Sequence, residues 1–362
     1  GPGGLCEEFG ECSFLGTLDA CPDMPLVSQI PVSAPGDEEI VSLSFVDANG
    51  DAAQDLVIGT AQGATLMIGP GGAEPAPLPV KAPVHTAVSG DFNGDGSSDL
   101  VVADTSGVLT FLLGDGTGTF TVGNTFAGAG PLDHLHVIEW NDDGNPDLVA
   151  AVQPGDAVIH FGDGLGGIGS SATVGVSQAV TTIATGRFDE GPLDDLVIDQ
   201  SGQAGIYLAP PDGDLDADAP LEPNLFLGPR LMDAADFDGG GVSDVAASTN
   251  MFEWVMLEAW RDGNAAWEQY ALFLPELSHI ATGDIDGNGL PELLLHGGTT
   301  LTMVRGMPMS GPNLPPLDCQ GDLGPVEPAT SFAVGDLTGD GAAEVVMAVD
   351  STLTVLSVIP AP

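Results

Sequence analysis

Residues 90–103, GDFNGDGSSDLVVA, place Asp91, Asp95 and Asp99 in one turn, with Asn93 between the first two, directly ahead of an apolar run. Carboxylates held that close repel one another unless a cation sits among them. The same grammar returns six more times, as VDANGDAAQDLVIG, EWNDDGNPDLVAA, RFDEGPLDDLVID, DFDGGGVSDVAAS, DIDGNGLPELLLH and DLTGDGAAEVVMA. Numbered from its first ligand position, each loop starts at Asp47, Asp91, Glu139, Arg187, Asp236, Asp284 or Asp336, with spacings of 44, 48, 48, 49, 48 and 52 residues. A period of that length accommodates four short strands with their turns, which is one blade of a β-propeller.

Within each period a short alternating stretch such as HTAVSGDF precedes the loop, and an apolar run such as DLVVAD follows it. A hairpin stretch such as GVLTFLLGDGTGTF comes next. The pattern reads as strand A, acidic loop, strand B, strand C and an outer strand D. Loop position 2 carries Phe92, Trp140, Phe188, Phe237, Ile285 and Leu337 in six copies, large groups expected to pack between blades. In the first copy the corresponding group reads as Val46, next to Phe45 and shifted by one. The last copy ends after strand C, while MPLVSQIPV at residues 24–32 has no other blade to join. It is expected to supply the missing outer strand, closing the ring and removing exposed edges. The predicted fold is all-β: a seven-bladed propeller of four-stranded antiparallel blades over residues 25–362, after a cysteine-containing segment at 1–24.

Composition agrees with this and excludes several function classes. The chain of 362 residues holds 52 Gly and 29 Pro, which favours tight turns over long helices. Five Lys or Arg face 53 Asp or Glu, a formal charge of −48 that argues against nucleic-acid or anionic-membrane partners. No apolar run is long enough for a membrane-spanning helix. The opening GPGG reads as a tag remnant ahead of a mature chain with no leader peptide. Cys6, Cys12, Cys21 and Cys319 form an even set, expected to make two disulfides in an oxidising compartment; zinc is the alternative. Ring closure brings the N-terminal segment beside blades 6 and 7. Cys319 is therefore expected to pair with one of the other three, and Cys21 is favoured as nearest the closing strand.

Oxygen ligands at loop positions 1, 3, 5 and 9, with a backbone carbonyl at 7, suit the six to eight oxygens of a Ca²⁺ shell. Gly at position 4 or 6 lets the backbone turn around the ion. An EF-hand needs Glu at position 12 and flanking helices, whereas here a β-rich run follows position 9 at once.

The repeats resemble the FG-GAP or VCBS type of integrin α-subunit propellers and of bacterial secreted proteins, over about residues 25–362. The resemblance implies calcium in the A–B loops on the bottom face and ligand capture on the opposite face. Carried over copy by copy, it assigns Asp47, Asn49, Asp51 and Asp55, with the Ala53 carbonyl, to blade 1. Blade 2 takes Asp91, Asn93, Asp95, Ser97 and Asp99, and blade 3 Glu139, Asn141, Asp143, Asn145 and Asp147. Blade 6 takes Asp284, Asp286, Asn288, Leu290 and Glu292, and blade 7 Asp336, Thr338, Asp340, Ala342 and Glu344. Blade 5 keeps Asp236, Asp238 and Asp244 but has Gly240 at position 5, so a weaker site is expected. In blade 4, Arg187 and Gly191 replace two ligands, and Arg187 is expected to pair with Asp189 and Asp195 in place of an ion. Five to six Ca²⁺ ions are expected, with blade 4 empty.

The seven loops use 20 of the 53 acids, leaving a surplus that fits solubility or a saline, calcium-rich setting. Five residues ahead of each loop stand Ser42, Thr86, His134, Thr182, Leu231, His279 and Ser331, a nearly polar ring expected at the top of the channel. With His85 and His136 nearby, this ring is read either as a ligand or transition-metal site or as a wet polar rim. The stretch MFEWVMLEAWRDGNAAWEQY, residues 251–270, is read as a docking surface or as an enlarged hairpin of blade 5. No G-x-S-x-G, H-E-x-x-H or phosphate loop is present. The resulting functional expectation is a secreted or cell-surface, non-catalytic, calcium-stabilised adhesion module, monomeric, recognising an unknown protein or glycan ligand through its top loops. The alternative is the scaffold of a secreted polysaccharide hydrolase or lyase.

Overall fold

The computed structural model describes residues 21, 26–33, 38–69, 75–81, 83–128, 130–152, 155–174, 179–200, 203–210, 223–227, 229–249, 254–259, 268–273, 276–306 and 317–359. The N-terminal strand is β1 (Leu26–Ser33). Blade 1 is β2 (Ile40–Val46), β3 (Asp55–Thr60), β4 (Gly63–Met67) and β5 (Ala76–Pro77). Blade 2 is β6 (Val84–Gly90), β7 (Asp99–Asp104), β8 (Val108–Gly114) and β9 (Phe120–Ala127). Blade 3 is β10 (Leu132–Ile138), β11 (Asp147–Val152), β12 (Asp156–Gly162) and β13 (Ile168–Thr173). Blade 4 is β14 (Val180–Gly186), β15 (Asp195–Gln200), β16 (Gln203–Tyr207) and β17 (Pro223–Leu227). Blade 5 is β18 (Pro229–Ala235), β19 (Asp244–Thr249), β20 (Trp254–Ala259) and β21 (Glu268–Phe273). Blade 6 is β22 (Leu277–Gly283), β23 (Glu292–Gly297), β24 (Thr300–Gly306) and β25 (Leu317–Pro325). Blade 7 is β26 (Ser331–Gly335), β27 (Glu344–Val349) and β28 (Thr352–Ile359).

Each blade is a four-stranded antiparallel sheet, and β1 pairs with β28 to complete the seventh. Leu26 lies opposite Ile359 and Ser33 opposite Thr352, so the chain's two ends share one sheet. Each inner strand packs on the next around the ring, and β26 packs on β2. The expected closure is therefore observed. Cys21 and Cys319 are joined by a disulfide, with Cα atoms 4.9 Å apart, fastening the N-terminal lead to β25. Cys6 and Cys12 lie outside the described residues.

The second strand of each blade explains why the core sits where it does. DLVIG, DLVVA and DLVAA are buried along nearly their whole length, because both faces of the sheet meet a neighbouring blade. Seven apolar clusters result, one between each pair of adjacent blades. Phe92, Trp140, Phe188, Phe237, Ile285 and Leu337 each sit in one of them, as expected of position 2. In blade 1 the position belongs to Ala48, not to Val46; both are buried in the cluster between blades 1 and 2. The strands β20 and β21 of the Trp-rich stretch pair as a hairpin of blade 5. Apart from Val255, its side chains lie outside the described residues.

Candidate functional site

The loops joining the first and second strands of each blade carry the predicted ligands. Their backbone is set by two left-handed positions. Position 4 has φ near +70° at Gly50, Gly94, Gly239, Gly287 and Gly339, and position 6 is likewise left-handed at Gly96, Gly144, Gly241, Gly289 and Gly341. Asp142 and Ala52 hold these conformations at 57° and 72° without a glycine. Blade 4 has Glu190 and Pro192 there, neither with positive φ, and proline's ring forbids it. Its loop is thus a different turn.

The first-position carboxylates cap this turn. Asp91 accepts from Gly94, Asp95 and Gly96 N–H at 2.8, 3.1 and 2.9 Å. Asp47 accepts from Gly50 and Ala52, Asp236 from Gly240 and Gly241, Asp284 from Asn288 and Gly289, and Asp336 from Gly339 and Gly341. Glu139 makes no such cap, and its Oε1 is buried without a hydrogen-bond partner. At position 5, Asp51, Asp95, Asp143 and Asp340 accept from the N–H of Ala53, Ser97, Asn145 and Ala342. Asn288 Oδ1 accepts from Leu290 in the same way. Asn49, Asn93 and Asn141 donate their Nδ2 to Asp51, Asp95 and Asp143 at 2.9–3.0 Å.

The ninth-position acids are the buried floor of the loops. Asp55, Asp99, Asp147, Asp195, Asp244, Glu292 and Glu344 are at most 3% exposed. Every one accepts from the N–H at position 2, from Ala48, Phe92, Trp140, Phe188, Phe237, Ile285 and Leu337 respectively. In blades 1 to 4 the second oxygen accepts from Gly69, Gly114, Gly162 or Ala209 at the end of the third strand. The longer Glu side chains behave differently. Oε2 of Glu292 and Glu344 takes the N–H groups of positions 2 and 3, while Oε1 turns toward Asn288 or Thr338 inside the loop. Burial, reinforced by neighbouring loop acids, pushes Asp147 up to about 6 and Glu292 up to about 7. A bound cation reverses that effect.

The donor set fits a hard divalent ion. Asp236, Asp238 and Asp244 each offer an oxygen within 4.8 Å of the others, as do Asp284, Asp286 and Glu292. Ca–O bonds of about 2.3–2.6 Å span oxygens up to about 5 Å apart across one ion. Blade 5, expected to be weaker for want of a ligand at Gly240, gathers its carboxylates as closely as blade 6.

Arg187 does not take the role the sequence suggests. It is exposed, and among the described residues no ion pair involves it; Asp195 lies beneath the loop, held by backbone N–H groups. The guanidinium contact is in blade 6 instead, where Arg305 Nε lies 3.0 Å from Asp286 Oδ2. The residues matching Arg305 in blades 1 to 4 are Ile68, Leu113, Phe161 and Leu208, so this departure was legible from the repeat alignment.

Neighbouring loops are also tied together. Asp194 N–H donates to the Glu139 carbonyl at 3.0 Å while its Oδ2 accepts from Glu139 N–H at 2.8 Å. Ser243 with Arg187 and Gln54 with Asp336 repeat this reciprocal pair between position 8 of one blade and position 1 of the preceding one. Pro146 and Pro291 occupy position 8 in blades 3 and 6 and have no N–H to give.

The family comparison matches residues 91–150, which contain the loops of blades 2 and 3, to the FG-GAP-like repeat. This chain is a β-propeller carrying an FG-GAP-like repeat. No curated protein sequence matches it. Among solved structures, a chain from the crystal structure of BBS1N in complex with ARL6DN, soaked with mercury, superposes with TM-score 0.64 at 14% identity, covering 93% of this chain and 98% of that one. A chain from the lead-soaked form of the same complex gives TM-score 0.62 at 14% identity, covering 94% and 97%. Among the described residues, no helix is long and apolar enough to cross a membrane.

Proposed function

We propose that this propeller is a non-catalytic, calcium-stabilised extracellular binding module that takes a protein or glycan on the face opposite its acidic loops. The carrying observation is the wiring of those loops. Each ninth-position acid is anchored to its own blade, and position 8 of blades 1, 4 and 5 clasps the blade before. An ion bound there stiffens the ring as a whole and leaves the other face free to vary, as binding loops on a rigid scaffold do. The loops of blades 1, 2, 3, 5, 6 and 7 would hold Ca²⁺ through the ligands assigned above; the turn of blade 4 would not. The ion's chemistry is electrostatic and structural, with no reaction step. The Cys21–Cys319 disulfide supports an oxidising, extracellular setting. The net charge of −48 disfavours nucleic acid and anionic membrane as partners. The similar solved chains come from a complex of two proteins, which supports use of the fold as a docking scaffold. The test is a glycan-array and protein-binding screen in Ca²⁺ and in chelator. Binding to one ligand class, lost on chelation, is expected. Binding indifferent to calcium, or shortening of a polysaccharide, would overturn the proposal.

A further inference from the structure

Opposite the acidic loops, the strand pairing of most blades slips at one common place. The register shifts between Ile40 and Ser42, Val84 and Thr86, Leu132 and His134, Val180 and Thr182, and Leu277 and His279. The skipped residues are Val41, His85, Asp133, Thr181 and Ser278, each a β-bulge. Four residues beyond each ninth-position acid, on the second strand beside this bulge, stand Gly59, Ala103, Ala151, Asp199, Ser248, His296 and Ala348. Five of the seven are small. At Gly59 a Cβ would lie 2.1 Å from Ser42 Oγ, so the corner of blade 1 is closed to any side chain. In blade 6 the same corner holds an imidazole that is only 1% exposed.

His296 lies directly across from His279. Their Nδ1 atoms are 3.2 Å apart, and Ser278 Oγ is 2.9 Å from His296 Nδ1 and 3.0 Å from His279 Nδ1. Two ring nitrogens and a hydroxyl oxygen thus converge on one point from neighbouring strands. Without an ion, His279 Nδ1–H donates to Ser278 Oγ and the hydroxyl donates to His296 Nδ1, with the His296 carbonyl a second acceptor 3.1 Å from it. His296 Nε2 lies 3.3 Å from the Glu327 carbonyl, which can only accept. That contact places the proton on Nε2 and leaves the Nδ1 lone pair aimed at the triangle, the orientation given to metal-bound histidines. Phe332 of β26 stacks on both rings, at 5.8 and 6.1 Å between centroids, and fixes their planes.

We propose that His279, His296 and Ser278 form a binding site for a first-row transition-metal ion of the Zn²⁺ class, separate in place and chemistry from the acidic loops. Zn–N bonds of about 2.0–2.1 Å in tetrahedral geometry hold ligand nitrogens about 3.3 Å apart, close to the separation seen here. Imidazole ligands favour Zn²⁺, Ni²⁺ or Cu²⁺ over calcium. Ser278 is exposed to solvent and gives the ion an entry path. The other close pair, His134 and His136, has nearly parallel rings 6.3 Å apart and is a built-in control.

The experiment is Zn²⁺ titration of the full chain with Ca²⁺ saturating, so that the acidic loops are filled, followed by X-ray absorption at the zinc edge. One tight equivalent with two imidazole nitrogens in its shell is expected. His279→Gln should weaken it by roughly tenfold or more, Ser278→Ala by less, and His134→Gln not at all. His279 and Ser278 are partly or fully exposed, so these variants test the site even if His296→Gln fails to fold; calcium-dependent melting verifies each. An all-oxygen zinc shell, or an affinity unchanged in His279→Gln, would overturn the assignment and place the zinc in the loops.

Discussion

Gln54 and Asp336, at opposite ends of the ring's sequence, hold each other by two hydrogen bonds: Gln54 N–H donates to the Asp336 carbonyl at 2.7 Å, and Gln54 Oε1 accepts from Asp336 N–H at 2.9 Å. They join the acidic loops of the first and last blades. Closure is thus secured at three levels: this clasp, the shared sheet of β1 and β28, and the Cys21–Cys319 bond.

Replacing Gln54 by Ala removes the side-chain half of the clasp and leaves the Asp336 N–H without it. A loss of about 1 kcal/mol is expected, read as a lower midpoint in chemical denaturation. Gln62→Ala, at an exposed position on the same blade, should leave the midpoint unmoved.

Calcium removal should lower the melting temperature. An ion at 100 times its dissociation constant contributes about 2.7 kcal/mol per site when it binds only the folded state. Equal melting of chelated and calcium-loaded protein would show that the loops do not bind it selectively. Asp91→Asn should reduce the calcium-dependent gain without abolishing it, since the other loops remain.

Arg305→Leu should tighten calcium binding in blade 6. The guanidinium beside Asp286 opposes a dication, and a leucine is the residue that the matching position of blade 2 already carries. A larger calcium-dependent rise in melting temperature than in the parent is expected; a smaller one would mean that Arg305 helps assemble the loop.

Asp233, on the inner strand of blade 5, is pushed up to about 6 by burial, against hydrogen bonds from Ala234 and Thr282. Its folded pKa exceeds the unfolded one, so the folded state holds the extra proton between about 4 and 6 and the group's contribution weakens as pH rises through that window. Asp233→Asn carries no such dependence. The stability of the variant relative to the parent should therefore increase from pH 4 to pH 7, and a difference independent of pH would contradict this.

Reduction of the Cys21–Cys319 bond, which spans 298 residues, should cost about 2–4 kcal/mol by freeing the unfolded chain and loosening the closing strand. Melting with and without reductant measures it. Non-reduced peptide mapping should recover the two cysteines in one fragment.

The repeat made the architecture legible before any coordinate. Its period set the number of blades, the truncated last copy located the closing strand, and the apolar second strands marked the core. The loop acids were equally plain, because their spacing follows the turn itself. Less visible was Pro192, whose meaning for blade 4 depends on knowing that position 6 is left-handed. Arg187 misled because a charge beside two acids in sequence suggests a pair, whereas burial of Asp195 beneath the loop and exposure of Arg187 separate them.

Sequence alone therefore determined what each blade is: local periodicity, turn residues and apolar runs are all encoded within about fifty residues. Tertiary structure decided what passes between blades and strands: the clasp of Gln54 on Asp336, the contact of Arg305 with Asp286, and the meeting of His279, His296 and Ser278. These depend on bulges, inter-blade packing and side-chain reach. A linear pattern holds no distance between residues that only the folded ring and its paired strands bring together.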